Sequence, residues 1–258
     1  MLAAQRHSLI LQEIKQRSAA RISDLAEALD VSEMTVRRDI ELLAEQGLLE
    51  KVHGGATAVA TKNMAVEPPF QSKSLREQLA KDAIAERAAI EIAPGSSIGL
   101  MGGSSVFAVA KLAVTIPGLT IVTNSLPVSD LFAREGQLNQ TVVLAGGLRT
   151  PTDSFVGEIT VAAFSALNLD VVFMGTHGMD QTGGFSTPNL HESQTNRAVI
   201  SKARKLVVLA DHTKWGEVGF STFANLDEAD LLITDSGISS QAAKILKTSV
   251  KDLAIVEI

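Results

Sequence analysis

Ser32-Glu33-Met34-Thr35-Val36-Arg37-Arg38-Asp39 is the stretch on which the reading of this chain turns. Ser32 suits a helix N-cap, because its hydroxyl can accept from the backbone N–H of Thr35. The helix it opens carries Val36, Ile40 and Leu43 at helical spacing, a face fit for a core. The other side of its first two turns presents Thr35, Arg37 and Arg38, a hydroxyl and two guanidinium groups of the kind that meet phosphate oxygens and base edges.

Immediately upstream, Ile22, Leu25 and Leu29 fall on one helical face, with Ser23 as a candidate cap, and Asp30-Val31 is the only break between the two segments. Two short helices joined by a tight turn, the second with a basic first turn, have the layout of a helix-turn-helix whose second helix enters a DNA major groove. The plainer alternative is a two-helix corner of an α-helical core with Arg37 and Arg38 solvated.

Ser32, Thr35-Val36-Arg37-Arg38-Asp39-Ile40 and Leu43, followed by Gly47-Leu48-Leu49 and Val52-His53-Gly54-Gly55-Ala56, resemble the N-terminal signature of the DeoR family of bacterial transcription regulators. The resemblance implies a winged helix-turn-helix, with residues 48–52 and 56–59 as wing strands and Gly54-Gly55 as their turn. Glycines suit a tight hairpin because they tolerate positive φ. Operator contacts are then expected from Ser32, Thr35, Arg37, Arg38, Lys51, His53 and Gly54.

The 258 residues suffice for two ordinary domains, and a 45% hydrophobic content with mean hydropathy +0.19 predicts a substantial core. Net charge is −6, and residues 1–60 hold seven Lys and Arg against nine Asp and Glu. That balance argues against a protein that coats nucleic acid without specificity, but suits a specific oligomer whose few cations are concentrated at the recognition helix and wing. With no cysteine, disulfides and thiolate metal sites are excluded. No apolar run approaches the ~18 residues of a spanning helix, and nothing near Met1 reads as a signal peptide. The expectation is a soluble cytoplasmic protein that needs no cofactor or metal and makes no membrane contact.

Along the chain, residues 4–16 repeat apolar side chains at helical spacing through Leu9, Ile10 and Ile14, forming a support helix. Residues 60–74 lose periodicity and contain Pro68-Pro69, so they read as a linker between a DNA-binding domain over 1–59 and a second domain over 75–258. Residues 75–92 resume a helix that ends at Pro94-Gly95. Short β-branched runs then follow at 98–101, 119–122, 141–144, 171–174, 206–209, 231–233 and 253–256, alternating with helical stretches. The pattern predicts an open, mostly parallel α/β sheet covered on both faces.

In such a sheet ligands sit beyond the carboxyl ends of the strands, and five of these ends are rich in small and polar residues. They are Gly102-Gly103-Ser104-Ser105, Thr123-Asn124-Ser125, Gly146-Gly147 with Arg149, Gly175-Thr176-His177-Gly178, and Asp211-His212-Thr213-Lys214-Trp215-Gly216. Five such loops on one edge suggest a pocket for a small, polyhydroxylated, phosphorylated ligand, with glycine N–H groups and hydroxyls at a helix N-terminus as the anion site. Each residue also has a plainer reading. Gly102-Gly103 is also the composition of an ordinary turn, His177 of a strand cap, Asp211 of a turn cap, and Lys214 beside Trp215 of a stacked surface cation.

Thr123-Asn124-Ser125-Leu126, Gly146-Gly147, residues 170–178, and Asp211, Lys214 and Gly216 resemble the effector domain of the same family, which is related to ribose-5-phosphate isomerases. The resemblance implies a regulator whose DNA affinity responds to a phosphorylated sugar and which works as a homo-oligomer, a dimer or tetramer, matched to repeated half-sites. Effector contacts are expected at Gly102, Gly103, Ser104, Ser105, Asn124, Ser125, Gly147, Arg149, Gly175, His177, Gly178, Glu192, Asp211 and Lys214. The chain departs from the family twice. Met101-Gly102-Gly103-Ser104-Ser105 stands where Asp-x-Gly-Thr-Thr is usual, and Asn196 stands where a lysine usually follows Glu192 by four residues. Enolisation needs a positioned base, so the missing carboxylate weighs against the alternative, a sugar-phosphate isomerase with an appended DNA-binding domain.

Overall fold

A computed structural model describes residues 3–17, 19–45, 49–52, 54–58, 77–137 and 139–258, and the chain divides into two compact units, Met1–Asn63 and Met64–Ile258. His53, residues 46–48, the expected linker with Pro68-Pro69, and the start of the 75–92 helix lie outside the described residues.

The first unit is built from α1 (Ala3–Arg17), β1 (Ala19–Arg21), α2 (Ile22–Leu29), α3 (Glu33–Glu45), β2 (Leu49–Val52) and β3 (Gly55–Ala58). Ile10 and Ile14 of α1, Ile22, Leu25 and Leu29 of α2, and Val36, Ile40 and Leu43 of α3 close on a single buried core. The helical spacing of these residues in sequence is the reason they meet, since i, i+3 and i+4 positions share a helix face. Asp30 ends α2 in the left-handed conformation at φ 52°, and its N–H reaches back to the carbonyls of Ala26 and Glu27. That reversal releases α3 after Val31 and Ser32.

Two local expectations are corrected. Ser23 does not cap α2; the helix starts at Ile22 with Arg21 in the cap position, and the Ser23 hydroxyl donates to Asp24 instead. Gly55 is not part of the wing turn but the first residue of β3, where it pairs with both Val52 and Arg21. A Cβ on Gly55 would lie 2.3 Å from the carbonyl oxygen of Ala20, so close strand approach, not positive φ, demands glycine there. Gly54, at φ 79°, supplies the turn. The wing sheet also has a third strand, β1, placed in the order β1-β3-β2.

The second unit opens with α4 (Gln78–Ala89) and centres on a seven-stranded parallel sheet. Its strands are β4 (Ser97–Leu100), β5 (Thr120–Thr123), β6 (Thr141–Leu144), β9 (Val171–Gly175), β12 (Leu206–Leu209), β14 (Leu231–Asp235) and β15 (Leu253–Val256), in the order β15-β14-β12-β9-β4-β5-β6. Crossovers are made by α5 (Ser104–Ala113), α6 (Leu126–Glu135), α7 (Glu158–Ser165), α8 (Leu190–Ile200) and α9 (Ser240–Ser249). Alternate strand residues separate onto two cores. Ile98, Leu100, Val171, Phe173, Val207 and Leu209 pack with Ile84, Val109 and Phe132 on one face, while Val122, Val172, Met174, Val208 and Leu232 pack with Phe164, Val199 and Leu246 on the other.

Two smaller sheets accompany it: the ribbon of β7 (Leu148–Arg149) and β8 (Phe155–Val156), and the antiparallel sheet of β10 (Gly178–Asp180), β11 (Gly184–Thr187) and β13 (Ser221–Ala224). Coverage on both faces fails at one border. Strand β6 has a single neighbour, and Val142, Val143 and Leu144 are all exposed.

Candidate functional site

On the first unit, the Ser32 hydroxyl accepts the Thr35 N–H at 3.2 Å and lies 2.8 Å from the Thr35 hydroxyl, so the cap read from sequence is in place. With Val36, Ile40 and Leu43 buried, Met34, Arg37 and Arg38 stand exposed on the outward side of α3. Arg37 has Glu33 at 3.8 Å, whereas Arg38 makes no ion pair among the described residues. Lys51 of β2 donates to Glu41 at 2.5 Å. The hydrogen bond and charge of Lys51 hold the Glu41 carboxyl below its ordinary value, with smaller help from the fields of Arg37 and Arg38. Gly54 is exposed, and its carbonyl accepts the N–H of Ile22, tying the wing turn to the start of α2.

One side chain of this helix has a role that spacing alone did not assign. Asp39 is buried, and its carboxylate takes the Arg6 guanidinium through contacts of 2.5 and 3.0 Å and the His7 ring at 2.9 Å. Burial is the largest single influence and opposes its charge, but the hydrogen bonds and charges of Arg6 and His7 together outweigh it and hold the carboxyl below its ordinary value. The only sequence signal was an acidic residue directly after Arg37-Arg38 and next to the core position Ile40.

In the second unit all seven strands run the same way, so the five polar loops lie beyond one edge of the sheet. The expected residues divide by what holds them. Asn124 is buried, accepting the Gly102 N–H at 3.0 Å and donating to the Phe155 carbonyl at 2.8 Å; Ser125 is buried as the cap of α6. A Cβ on Gly102 would lie 2.0 Å from the Ser154 hydroxyl oxygen, on Gly147 2.2 Å from that of Thr160, and on Gly178 2.1 Å from the Glu217 carbonyl oxygen. These three glycines are thus required by packing. By contrast, Gly103, Gly146 and Gly175 face open space at the carboxyl ends of β4, β6 and β9.

Ser104 and Ser105 open α5, with Ser105 at the limit of burial. Arg149 forms two hydrogen bonds to one carboxylate oxygen of Asp153, at 2.9 and 2.7 Å. His177 is half-buried and its N–H donates to the Ser186 carbonyl; Glu192 accepts the Thr187 hydroxyl at 2.8 Å. Asp211 is buried and caps the turn His212–Lys214, accepting from the N–H of Thr213, while the Lys214 ammonium stands 3.9 Å from its other oxygen and is one-third exposed. Sequence reasoning passed over Asp235, because Asp235-Ser236-Gly237 has the composition of an ordinary turn; it is wholly buried at the end of β14 and holds His212.

A capped helix exposing two arginines beside a wing, carried on the same chain as an α/β unit with a polar sheet edge, defines a winged helix-turn-helix regulator with a sensor domain. Residues 6–62 match the DeoR-like helix-turn-helix domain and residues 76–236 the DeoR C terminal sensor domain. The chain belongs to the DeoR family of transcriptional regulators; it binds DNA through the helix-turn-helix, and its sensor domain implies a small-molecule effector. It is similar to the glycerol-3-phosphate regulon repressor of Escherichia coli (strain K12), 32% identical over 92% of each chain. It is also similar to the lactose phosphotransferase system repressor of Staphylococcus epidermidis, 35% identical over 92% of this chain and 93% of the relative. Among solved structures, ribose 5-phosphate isomerase A from Neisseria gonorrhoeae is similar over 52% of each chain, with TM-score 0.38 and 18% identity. The sequence relatives are transcriptional regulators, which sets the isomerase alternative aside. Among the described residues, no helix is long and apolar enough to cross a membrane.

Proposed function

We propose that this chain is a cytoplasmic repressor of a carbohydrate-catabolism operon, released from its operator by a phosphorylated sugar. Residues 1–59 read the DNA, 60–74 link, and 75–258 bind the effector and assemble the oligomer. On the DNA side, Arg38 reads base edges, while Arg37, Thr35 and Lys51, together with His53 and with Gly54 of the wing turn, meet the phosphate backbone.

The observation that carries the effector reading is the pairing, at one sheet edge, of the partly exposed Lys214 ammonium with the open backbones of Gly103, Gly146 and Gly175. A phosphate needs a cation and oriented N–H donors, and a parallel sheet offers them beyond its carboxyl ends. The names of the two curated relatives, one for a glycerol-3-phosphate regulon and one for a lactose phosphotransferase system, support a carbohydrate-derived effector. The exposed apolar edge strand β6 supports a homo-oligomer, since such an edge invites pairing.

A thermal-shift screen of glycerol 3-phosphate and pentose and hexose phosphates tests this directly, because a ligand at 100 times its Kd adds roughly 2.7 kcal/mol. The hit is then titrated into an operator complex followed by fluorescence anisotropy. Lys214→Ala is expected to occupy operator as the parent does and to ignore the sugar phosphate. A Lys214→Ala protein that responds with parental sensitivity sinks the effector assignment.

A further inference from the structure

We propose that His212, clamped by the buried Asp235, contacts the effector through Nε2, accepts a hydrogen bond from a sugar hydroxyl, and so helps to set which sugar phosphate is recognised. The inference rests on the reading of this sheet edge as the phosphorylated-sugar site, and it assigns a residue outside the set expected from sequence.

The geometry begins with Asp235, the last residue of β14 and 0% exposed. Its carboxylate is fully committed. Oδ1 accepts the His212 backbone N–H at 2.7 Å; Oδ2 lies 2.7 Å from His212 Nδ1 and accepts the Gly237 N–H at 3.0 Å. A carboxylate already taking two backbone N–H groups is an acceptor, so the ring nitrogen facing it is the one that carries hydrogen. With Nδ1 carrying hydrogen, the acceptor of a neutral imidazole is Nε2, across the ring.

Three features separate this arrangement from a simple turn cap. First, the ring is gripped: a Cβ on Gly237 would lie 2.6 Å from both Cγ and Nδ1 of His212, so the backbone of the β14–α9 turn lies directly against the imidazole. Second, the grip leaves the working end free. The side chain is 31% exposed, and Nε2 has no partner among the described residues. Third, the location is shared. β12, whose end supplies His212 and Lys214, lies between β14 and β9, and β9 terminates at Gly175, whose backbone faces open space. A turn cap needs only the backbone N–H of His212; fixing the ring as well sets an acceptor two residues from the candidate phosphate cation. The two side chains divide the ligand, with Lys214 on the phosphate and His212 on a hydroxyl. A site that hydrogen-bonds a substrate hydroxyl discriminates strongly against the analogue without it.

The test is calorimetric titration of the full-length chain with inorganic phosphate, with the sugar phosphate that binds best, and with that sugar's monodeoxy analogues. His212→Ala is expected to weaken the sugar phosphate about tenfold or more while leaving inorganic phosphate unchanged, and Lys214→Ala to weaken both. For the parent protein, one deoxy analogue should bind at least tenfold more weakly, and His212→Ala should no longer distinguish it from the complete sugar. The deoxy series on the parent needs no variant, so a misfolded His212→Ala cannot shield the proposal. If His212→Ala binds the sugar phosphate as the parent does while Lys214→Ala fails, the role of His212 is overturned and the proposed function stands. Equal losses for sugar phosphate and inorganic phosphate on His212→Ala also overturn it, by making the contact a phosphate contact. A parent chain that binds no member of the panel overturns the reading of the site and this inference together.

Discussion

Asp39 and Arg38 are neighbours on α3 with opposite tasks, one facing the core and one facing out. Asp39 ties α3 to α1 through Arg6 and His7, so it sets how α3 is seated on the core. Its carboxyl titrates below the ordinary value of 3.8 in the folded protein, so on acidification the unfolded chain takes up that proton first. The stabilisation is therefore fully present above 3.8 and is lost as pH falls through the depressed folded value. Asp39→Asn should cost the unit about 3 kcal/mol at neutral pH, the lower end for breaking a buried ion pair, and should remove this acid dependence. Hydrogen exchange of the α3 amides in the full-length chain checks it; protection equal to the parent at all pH values would mean the anchor does not stabilise. Arg38→Ala should leave that protection intact and weaken operator binding by about 1–3 kcal/mol, the loss of one guanidinium contact.

Glycines show how elements rather than single side chains shape the sensor unit. Gly178 begins β10 hard against the Glu217 backbone, whereas Gly175, three residues earlier, ends β9 beside open space. Adding one methyl group therefore has opposite consequences at the two positions. Gly178→Ala forces backbone apart and should destabilise by about 1–3 kcal/mol, the usual cost of overpacking, seen as a lower denaturation midpoint. Gly175→Ala should fold with parental stability but lose affinity for the sugar phosphate, because the methyl occupies space above the strand end. If Gly175→Ala binds as the parent does, the ligand does not approach β9. The wing follows the same logic, since Gly55 allows β3 to lie close to β1 and complete a three-stranded sheet.

Across the chain, a regulator needs its two units to share free energy. Allosteric coupling is typically 1–3 kcal/mol and is reciprocal, so a sugar phosphate that loosens operator must itself bind more weakly to the DNA-bound protein, by the same factor. Calorimetry of the effector against free and operator-bound protein, set beside operator titrations with and without effector, is expected to show equal factors for the two directions, roughly 5–150-fold. Identical effector affinity in both states would exclude regulation through affinity.

Much of this was already written in the order of residues. Apolar spacing at 3.6 sets α1, α2 and α3, and each β-branched run from 98–101 to 253–256 falls on a strand of the large sheet to within a residue or two at its ends. For the inner strands that succeeds because a parallel strand buried on both faces must be apolar throughout, while the exposed β6 is legible from its β-branched residues alone; an amphipathic helix must repeat with its own period. Parallel strands also carry their loops to one edge, so the location of the polar loops followed from their order. Contacts between distant residues depended on the packed chain. β1 is three residues without a periodic signal, and it is a strand because β3 lies beside it. Asp39 and Arg6 are 33 positions apart, and Asp235 and His212 are 23 apart. No local pattern distinguishes the packed Gly178 from the open Gly175. Propensity and periodicity act over a few residues, whereas the partners of a buried charge and the space above a glycine are set by which elements become neighbours, and that is decided only when the sheet and its helices close on one another.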